Sequence, residues 1–203
     1  YTVKAENTAG TQRLADGSKI MGAIKGRDAI YVWTDTALFL MQFVGQPFTF
    51  SFQQVGTNCG LFGKNACIEV DGSSYWMSEN GFFTYDGQLK SMPCLVEDYV
   101  YDSINDTSRD LINCGLNNLF GEINWSYCSG ASDVVDRVVT YNYLDSSAER
   151  PIWTTSRMNI VSGKKVGVPR TAWQDSAVFN KPHATFYDPD DNASTDVTGN
   201  TDG

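Results

Sequence analysis

The sequence predicts an all-β chain: a β-propeller-like array of four-stranded antiparallel meanders with a short inter-blade helix. Three observations predict it. In residues 66–93, ACIEVDGSSYWMSENGFFTYDGQLKSMP, the turns Asp71-Gly72, Glu79-Asn80-Gly81 and Asp86-Gly87 each supply a residue that accepts positive φ at little cost, as tight hairpins require. Trp33, Trp76 and Trp125 stand near the same point of three such units, 43 and 49 residues apart, the period of ~40–50 residues at which propeller blades recur. The 203 residues are 13% aromatic, which favours β structure over disorder and is length enough for a real core.

The central unit divides into strands Ala66–Val70, Ser73–Ser78, Phe82–Tyr85 and Gln88–Met92. Pro93, which cannot donate to a ladder, closes it. A lone meander is marginal in water, so neighbours are expected. Upstream, Ile30–Asp35, Ala37–Val44 and Phe48–Gln54 read as strands around a Gly45-Gln46-Pro47 turn. Phe48, Phe50 and Phe52 alternate with polar residues there, predicting one packed core face. Downstream, Gly121–Cys128, Arg137–Leu144 and Pro151–Thr155 read as three more strands, and the pattern restarts at Ala184–Tyr187. The blades are thus about 30–55, 66–93, 112–155 and a partial 171–190.

The remaining segments are connections. Residues 1–29 read as an N-terminal arm or loop with a turn at Asp16-Gly17, a short strand candidate at Ile20–Ile24 and a basic cluster of Lys19, Lys25 and Arg27. After the central unit, Val96, Tyr99, Val100 and Ile104 fall at helical spacing, with Asn105 placed to end the turn. Glu97, Asp98, Asp102, Asp106 and Asp110 make this linker acidic. Residues 156–170, SRMNIVSGKKVGVPR, carry net positive charge and read as a protruding loop; Arg157, Lys164, Lys165 and Arg170 are its candidate contacts to a partner or a DNA backbone. Residues 191–203 read as a tail segment. Tyr1 at the start and Asp202-Gly203 at the end give the chain the look of a fragment of a longer protein.

Charge and chemistry narrow the function classes. The formal net charge is −9, which argues against tight nucleic-acid binding through phosphate neutralisation. No apolar run approaches the ~18 residues of a membrane span. His183 is the only imidazole, so an H-E-x-x-H zinc site is excluded, and G-x-S-x-G is absent. Gly60-Leu61-Phe62-Gly63-Lys64 lacks the spacing and hydroxyl of a phosphate loop. Asp188–Asp191 with Asn192 fails as a calcium loop, because Ala193 stands where Gly is needed and Gly199 where Glu would close it. Cysteines 59, 67, 94, 114 and 128 are odd in number and contain no C-x-x-C, which reads as small buried side chains. Asp71, Asp86 and Glu122 are carboxylates that sequence alone cannot pair. No catalytic, cofactor-binding or metal-ligating residue is therefore assigned, and the chain is expected not to be an enzyme.

Four stretches together carry a family likeness: FLMQFVGQPFTFSFQQVGTNCG (39–60), VDGSSYWMSENGFFTYDGQLKSMPCLVEDYVYDSIN (70–105), VDRVVTYNYLDSSAERPIWTT (135–155) and RTAW (170–173). They resemble the tail hub, or packaged-DNA-stabilisation (head-completion, tail nozzle), proteins of short-tailed bacteriophages, over most of residues 27–190. The resemblance implies a virion structural protein, assembled in the host cytoplasm as a ring of six below the portal and adaptor proteins and meeting tail fibre or needle proteins. It implies a DNA channel that retains the packaged genome and conducts it at ejection, with double-stranded DNA passing unbound. Glu97, Asp98, Asp102, Asp106 and Asp110 are then the candidate lumen-facing acids, since acidic walls keep a polyanion sliding. Two other readings stand beside it: a carbohydrate-binding or glycosidase-type propeller, and a host-receptor-binding tail component.

Overall fold

The computed structural model describes residues 10–46, 48–130 and 132–157, and the backbone of four further strands between Ile160 and Phe186. The chain is mostly β. Three four-stranded antiparallel sheets follow one another, each with its strands in sequence order. The first holds β1 (Ile20–Lys25), β2 (Ile30–Thr34), β3 (Ala37–Phe43) and β4 (Phe50–Thr57). The second holds β5 (Cys67–Val70), β6 (Ser73–Ser78), β7 (Gly81–Tyr85) and β8 (Leu89–Met92). After a helix α1 (Glu97–Tyr101) and a 3-10 segment (Asp106–Leu111), the third holds β9 (Asn113–Asn117), β10 (Glu122–Tyr127), β11 (Arg137–Asn142) and β12 (Trp153–Arg157).

The turn chemistry works as the residues dictate. Asp71 and Gly72 take φ of 50° and 86°, which makes a two-residue hairpin between β5 and β6. Gly81 and Gly87 take φ of 111° and 106° at the next two reversals.

Several segments differ from the sequence reading. Residues 1–29 are not wholly an arm: the strand candidate at Ile20–Ile24 is present as β1, which pairs along β2 from Lys25↔Ile30 to Ile20↔Thr34 and makes the first sheet four-stranded. The third sheet gains β9, which pairs along β10 from Asn117↔Glu122 to Asn113↔Ser126. Asn105 starts a helical turn rather than ending one: its side chain accepts a hydrogen bond from the Thr107 N–H at 3.0 Å. The segment 156–170 is bounded differently, since Ser156 and Arg157 belong to β12, and it contains a small hairpin of β13 (Ile160–Val161) and β14 (Lys164–Lys165). Beyond it, β15 (Pro169–Gln174) pairs antiparallel with β16 (His183–Phe186). The expected tail 191–203 and the DPDDN stretch lie outside the described residues.

The first strands of the sheets lie next to one another, β1 against β5, β5 against β9, and β9 against β15. Asn65 and Asn113 bridge in parallel, and the Cys114 N–H donates to the Asn65 carbonyl at 2.8 Å. One continuous core fills the space between the sheets. Trp33, Trp76 and Trp125, each on the second strand of its sheet, are fully buried within it. Trp33 and Trp76 meet edge to face at 5.3 Å, and Phe82 reaches Trp125 at 5.1 Å, so aromatic contacts tie each sheet to the next. The expected packed face of Phe48, Phe50 and Phe52 is only partial: Phe48 and Phe50 are exposed. β4 is the outer edge of the first sheet, and Phe43, Phe48 and Phe50 of its hairpin with β3 are not among the core residues.

Two ends of the molecule result. The linkers 58–66 and 93–112 bind the β2–β3, β6–β7 and β10–β11 connections together at one end. The Leu61 N–H donates to the Thr34 carbonyl and the Phe62 N–H to that of Met77, while Asn105 and Gly130 exchange backbone bonds with Cys128 and Ser103. The other connections, including 44–49, 118–121 and 143–152, leave at the opposite end.

Candidate functional site

The linker end holds most of the carboxylates among the described residues. Its connections, with residues 10–19 folded onto them, carry ten carboxylates and four cations in sequence. Between the first and second sheets lies a cleft of about 520 Å³ lined in part by Asp35, Glu79, Asp106, Arg109 and Asp110. Asp35 sits in the β2–β3 turn. Its carboxylate accepts the Ser18 hydroxyl and, at 2.7 Å, the Ser18 N–H, and so pins the entry to β1. The Ser18 hydroxyl beside it, with backbone donors, holds the Asp35 carboxyl below the usual carboxylate range.

Arg109 is the hub of the opposite wall. Its guanidinium reaches Glu79 at 3.1 Å and Asp106 at 3.3 Å, and lies 4.4 Å over the Phe62 ring. Lys64 reaches Asp110 at 3.4 Å. These pairs are solvent-exposed and each adds little stability, so they shape the cleft more than they hold it. The 3-10 turn that carries Asp106, Arg109 and Asp110 exists because Asn105 caps it and Gly63 admits it: a Cβ at Gly63 would stand 2.4 Å from the Arg109 carbonyl.

The five acids singled out in the sequence share the linker end but not one row. Asp106 and Asp110 line the cleft and are paired. Asp98 and Asp102 are exposed and make no ion pair among the described residues. Glu97 is half-buried over Gly81, and burial, then the neighbouring Asp98, raises its carboxyl above the ordinary range. Asp35 and Glu79 join the cleft although no sequence signal marked them. Each is a turn residue, and only the linker fold brings the two turns together.

The basic residues are divided too. Lys19 lines the cleft, whereas Lys25 and Arg27 face a second hollow of about 460 Å³ with Glu69 and Asp71, at the opposite end. The basic cluster read from sequence is therefore split across the length of β1. Arg157 is exposed at the end of β12, across from Arg137. Lys164, Lys165 and Arg170 lie on strands β14 and β15, and their side chains are outside the described residues.

The cysteines are free thiols. Burial pushes Cys67 up to about 12 and Cys94 up to about 11, and Cys114 well above the ordinary value, which makes them unreactive core groups. Among the described residues no group of three or more His, Cys, Asp or Glu side chains is placed to hold a metal ion, and no helix is long and apolar enough to cross a membrane. No family model matches the chain, and no curated protein matches it.

Proposed function

We propose that this chain is a structural protein of a phage tail hub or nozzle, and that copies of it form a ring, a hexamer, whose channel retains packaged DNA and conducts it at ejection. The sheets are read as propeller-like blades with β1, β5 and β9 innermost. The ring would sit below portal and adaptor proteins and above a fibre or needle, and its role would be mechanical rather than catalytic. The observation that carries this reading is the gathering of carboxylates at the linker end of a stiff, aromatic-cored array. A surface that DNA must pass without sticking needs unpaired negative charge, and Asp98 and Asp102 offer it. The likeness of residues 39–60, 70–105 and 135–155 to that family supports the same reading.

Native mass spectrometry with electron cryomicroscopy of particles tests it. The expected result is a six-fold ring at a portal vertex, and a single chain with no place on the particle overturns it. Reversing charge with Asp98→Lys and Asp102→Lys is expected to slow DNA release from purified particles several-fold. Unchanged release kinetics would move the channel away from this end.

The cleft of about 520 Å³ favours a second reading, a carbohydrate-binding propeller, because four carboxylates converge on it. Glu79, Asp106 and Asp110 are each already paired with a cation, and Asp35 is shifted in the direction opposite to that of a general acid. Titration of oligosaccharides by calorimetry separates the two: saturable heat that Asp35→Asn abolishes would favour the sugar site.

A further inference from the structure

We propose that copies of this chain join head to tail through two exposed apolar patches, one on the first sheet and one on the third; the inference rests on the ring reading above and names its contact. The first patch is the β3–β4 hairpin tip. Phe43 and Phe48 are 73% and 76% exposed and Phe50 is 44% exposed, and Phe43 and Phe50 already pack edge to face across the hairpin at 5.9 Å. The second patch is formed by the β9–β10 and β11–β12 connections. Leu119, Phe120 and Leu144 are 62%, 61% and 64% exposed. The Tyr143 N–H donates to the Gly121 carbonyl at 2.8 Å, which fixes the two connections as one ledge.

Three features select a second copy as the occupant. The patches lie at the same end of the strands but on different sheets, with the second sheet between them, so one patch of a copy can meet the other patch of the next. Such a contact is heterologous and propagates, and a ring is how it closes. Charge points the same way. Chains of net charge −9 repel one another, yet no charged residue occurs between Asp35 and Lys64, the stretch that holds the hairpin, or between Asp110 and Glu122, which holds Leu119 and Phe120; the connection with Leu144 carries Asp145, Glu149 and Arg150. Because the hairpin itself brings no charge, it can meet the ledge without setting like charges against Asp145 and Glu149, whereas the carboxylate-rich linker end would reject an apolar tip. The β4 edge also lacks the lysines that commonly guard an open strand, and the sequence between Phe50 and Thr57 has no proline. The hairpin phenylalanines offer on the order of 400 Å² of apolar area, about half of one partner's share of a standard interface.

The test uses Phe48→Asp, which spoils the hairpin, and Phe120→Asp, which spoils the ledge. Both sites are exposed, so melting temperatures should match the parent chain and any loss of assembly is not unfolding. By native mass spectrometry the parent chain is expected to assemble, and each variant alone to fall to the single-chain mass of 22.4 kDa. Mixed together, the variants should form a pair of copies and stop, because one intact hairpin meets one intact ledge. A parent assembly that both variants also form overturns the contact and leaves the ring reading standing. Dissociation by only one variant, or no pairing in the mixture, overturns the head-to-tail arrangement. An assembly that needs both patches but closes at another number supports the contact and counts against the hub. A parent chain that stays single at high concentration overturns both.

Discussion

The three buried indoles on second strands fill volume between sheets, and two of them also donate a hydrogen bond to a neighbouring connection. Trp76 Nε1 donates to the Cys59 carbonyl at 2.8 Å and Trp125 Nε1 to the Ala66 carbonyl at 3.0 Å. Trp76→Phe keeps an aromatic ring but leaves a cavity and an unpaired buried carbonyl. It should cost about 2–4 kcal/mol, read from the urea midpoint at unchanged slope. Asp35 is the polar counterpart. Its pKa is lowered from 3.8 in the folded state, so its contribution is full above the unfolded value and is lost as pH falls through the folded one. Asp35→Asn should therefore cost about 1 kcal/mol at neutral pH, screened as the site is, and the gap from the parent should close on acidification. The three indoles could be read in the sequence because their spacing repeats. Asp35 could not, because its partner Ser18 lies in a segment whose polar, glycine-rich composition carries no periodic signal.

At the level of elements, the linkers decide how the sheets sit. Gly60 lies so close to the β2–β3 turn that a Cβ there would stand 2.1 Å from the Asp35 carbonyl oxygen. Gly60→Ala should destabilise by roughly 3 kcal/mol or more, since backbone on both sides would have to shift. Gly45→Ala is the comparison: it has φ +81° but open space, so only backbone strain of about 1 kcal/mol is expected. Thermal melts of the two variants check the order. The second sheet was legible strand by strand because Asp-Gly turns punctuate it. β1 showed only as a short candidate at Ile20–Ile24 and β9 not at all, for opposite reasons. β1, IMGAIK, carries a glycine and a register shift between Ile20 and Gly22, which blurs the alternation. β9, NCGLN, is buried through asparagine, cysteine and glycine rather than through β-branched residues. Phe48 and Phe50 misled because alternation reports a two-faced strand, not whether anything covers the apolar face.

Across the whole molecule, the linker end gathers an excess of carboxylates and the opposite end holds the two exposed phenylalanine-bearing patches, and neither gathering was visible before the connections were placed. Burial first, and acidic crowding second, work against the Glu97 carboxylate. The Glu97 pKa is raised from 4.5, first by burial and then by Asp98, so the stability linked to its proton is full below the unfolded value and is lost as pH rises through the folded one. Glu97→Gln should make the neutral-pH protein more stable by a few tenths of a kcal/mol, and added salt should narrow the difference by screening Asp98. A destabilised variant in a denaturant titration would show instead that Glu97 holds the linker in place. The five acids were legible as a run of charge. Their division between paired and unpaired groups depended on Lys64 and Arg109, which only the fold brings to them.

The direction of the indole bonds bears on how the chain folds as it is made. Trp76 donates to Cys59, Trp125 to Ala66 and Trp153 to Pro93, and in every case the acceptor comes earlier in the chain. Trp33 Nε1 has no partner among the described residues. Each sheet is also closed within its own contiguous stretch. A chain leaving the ribosome amino-end first therefore presents each new sheet with a receiving carbonyl already synthesised. Assembly can proceed by addition, one sheet seating on the last, without waiting for a distant segment to return.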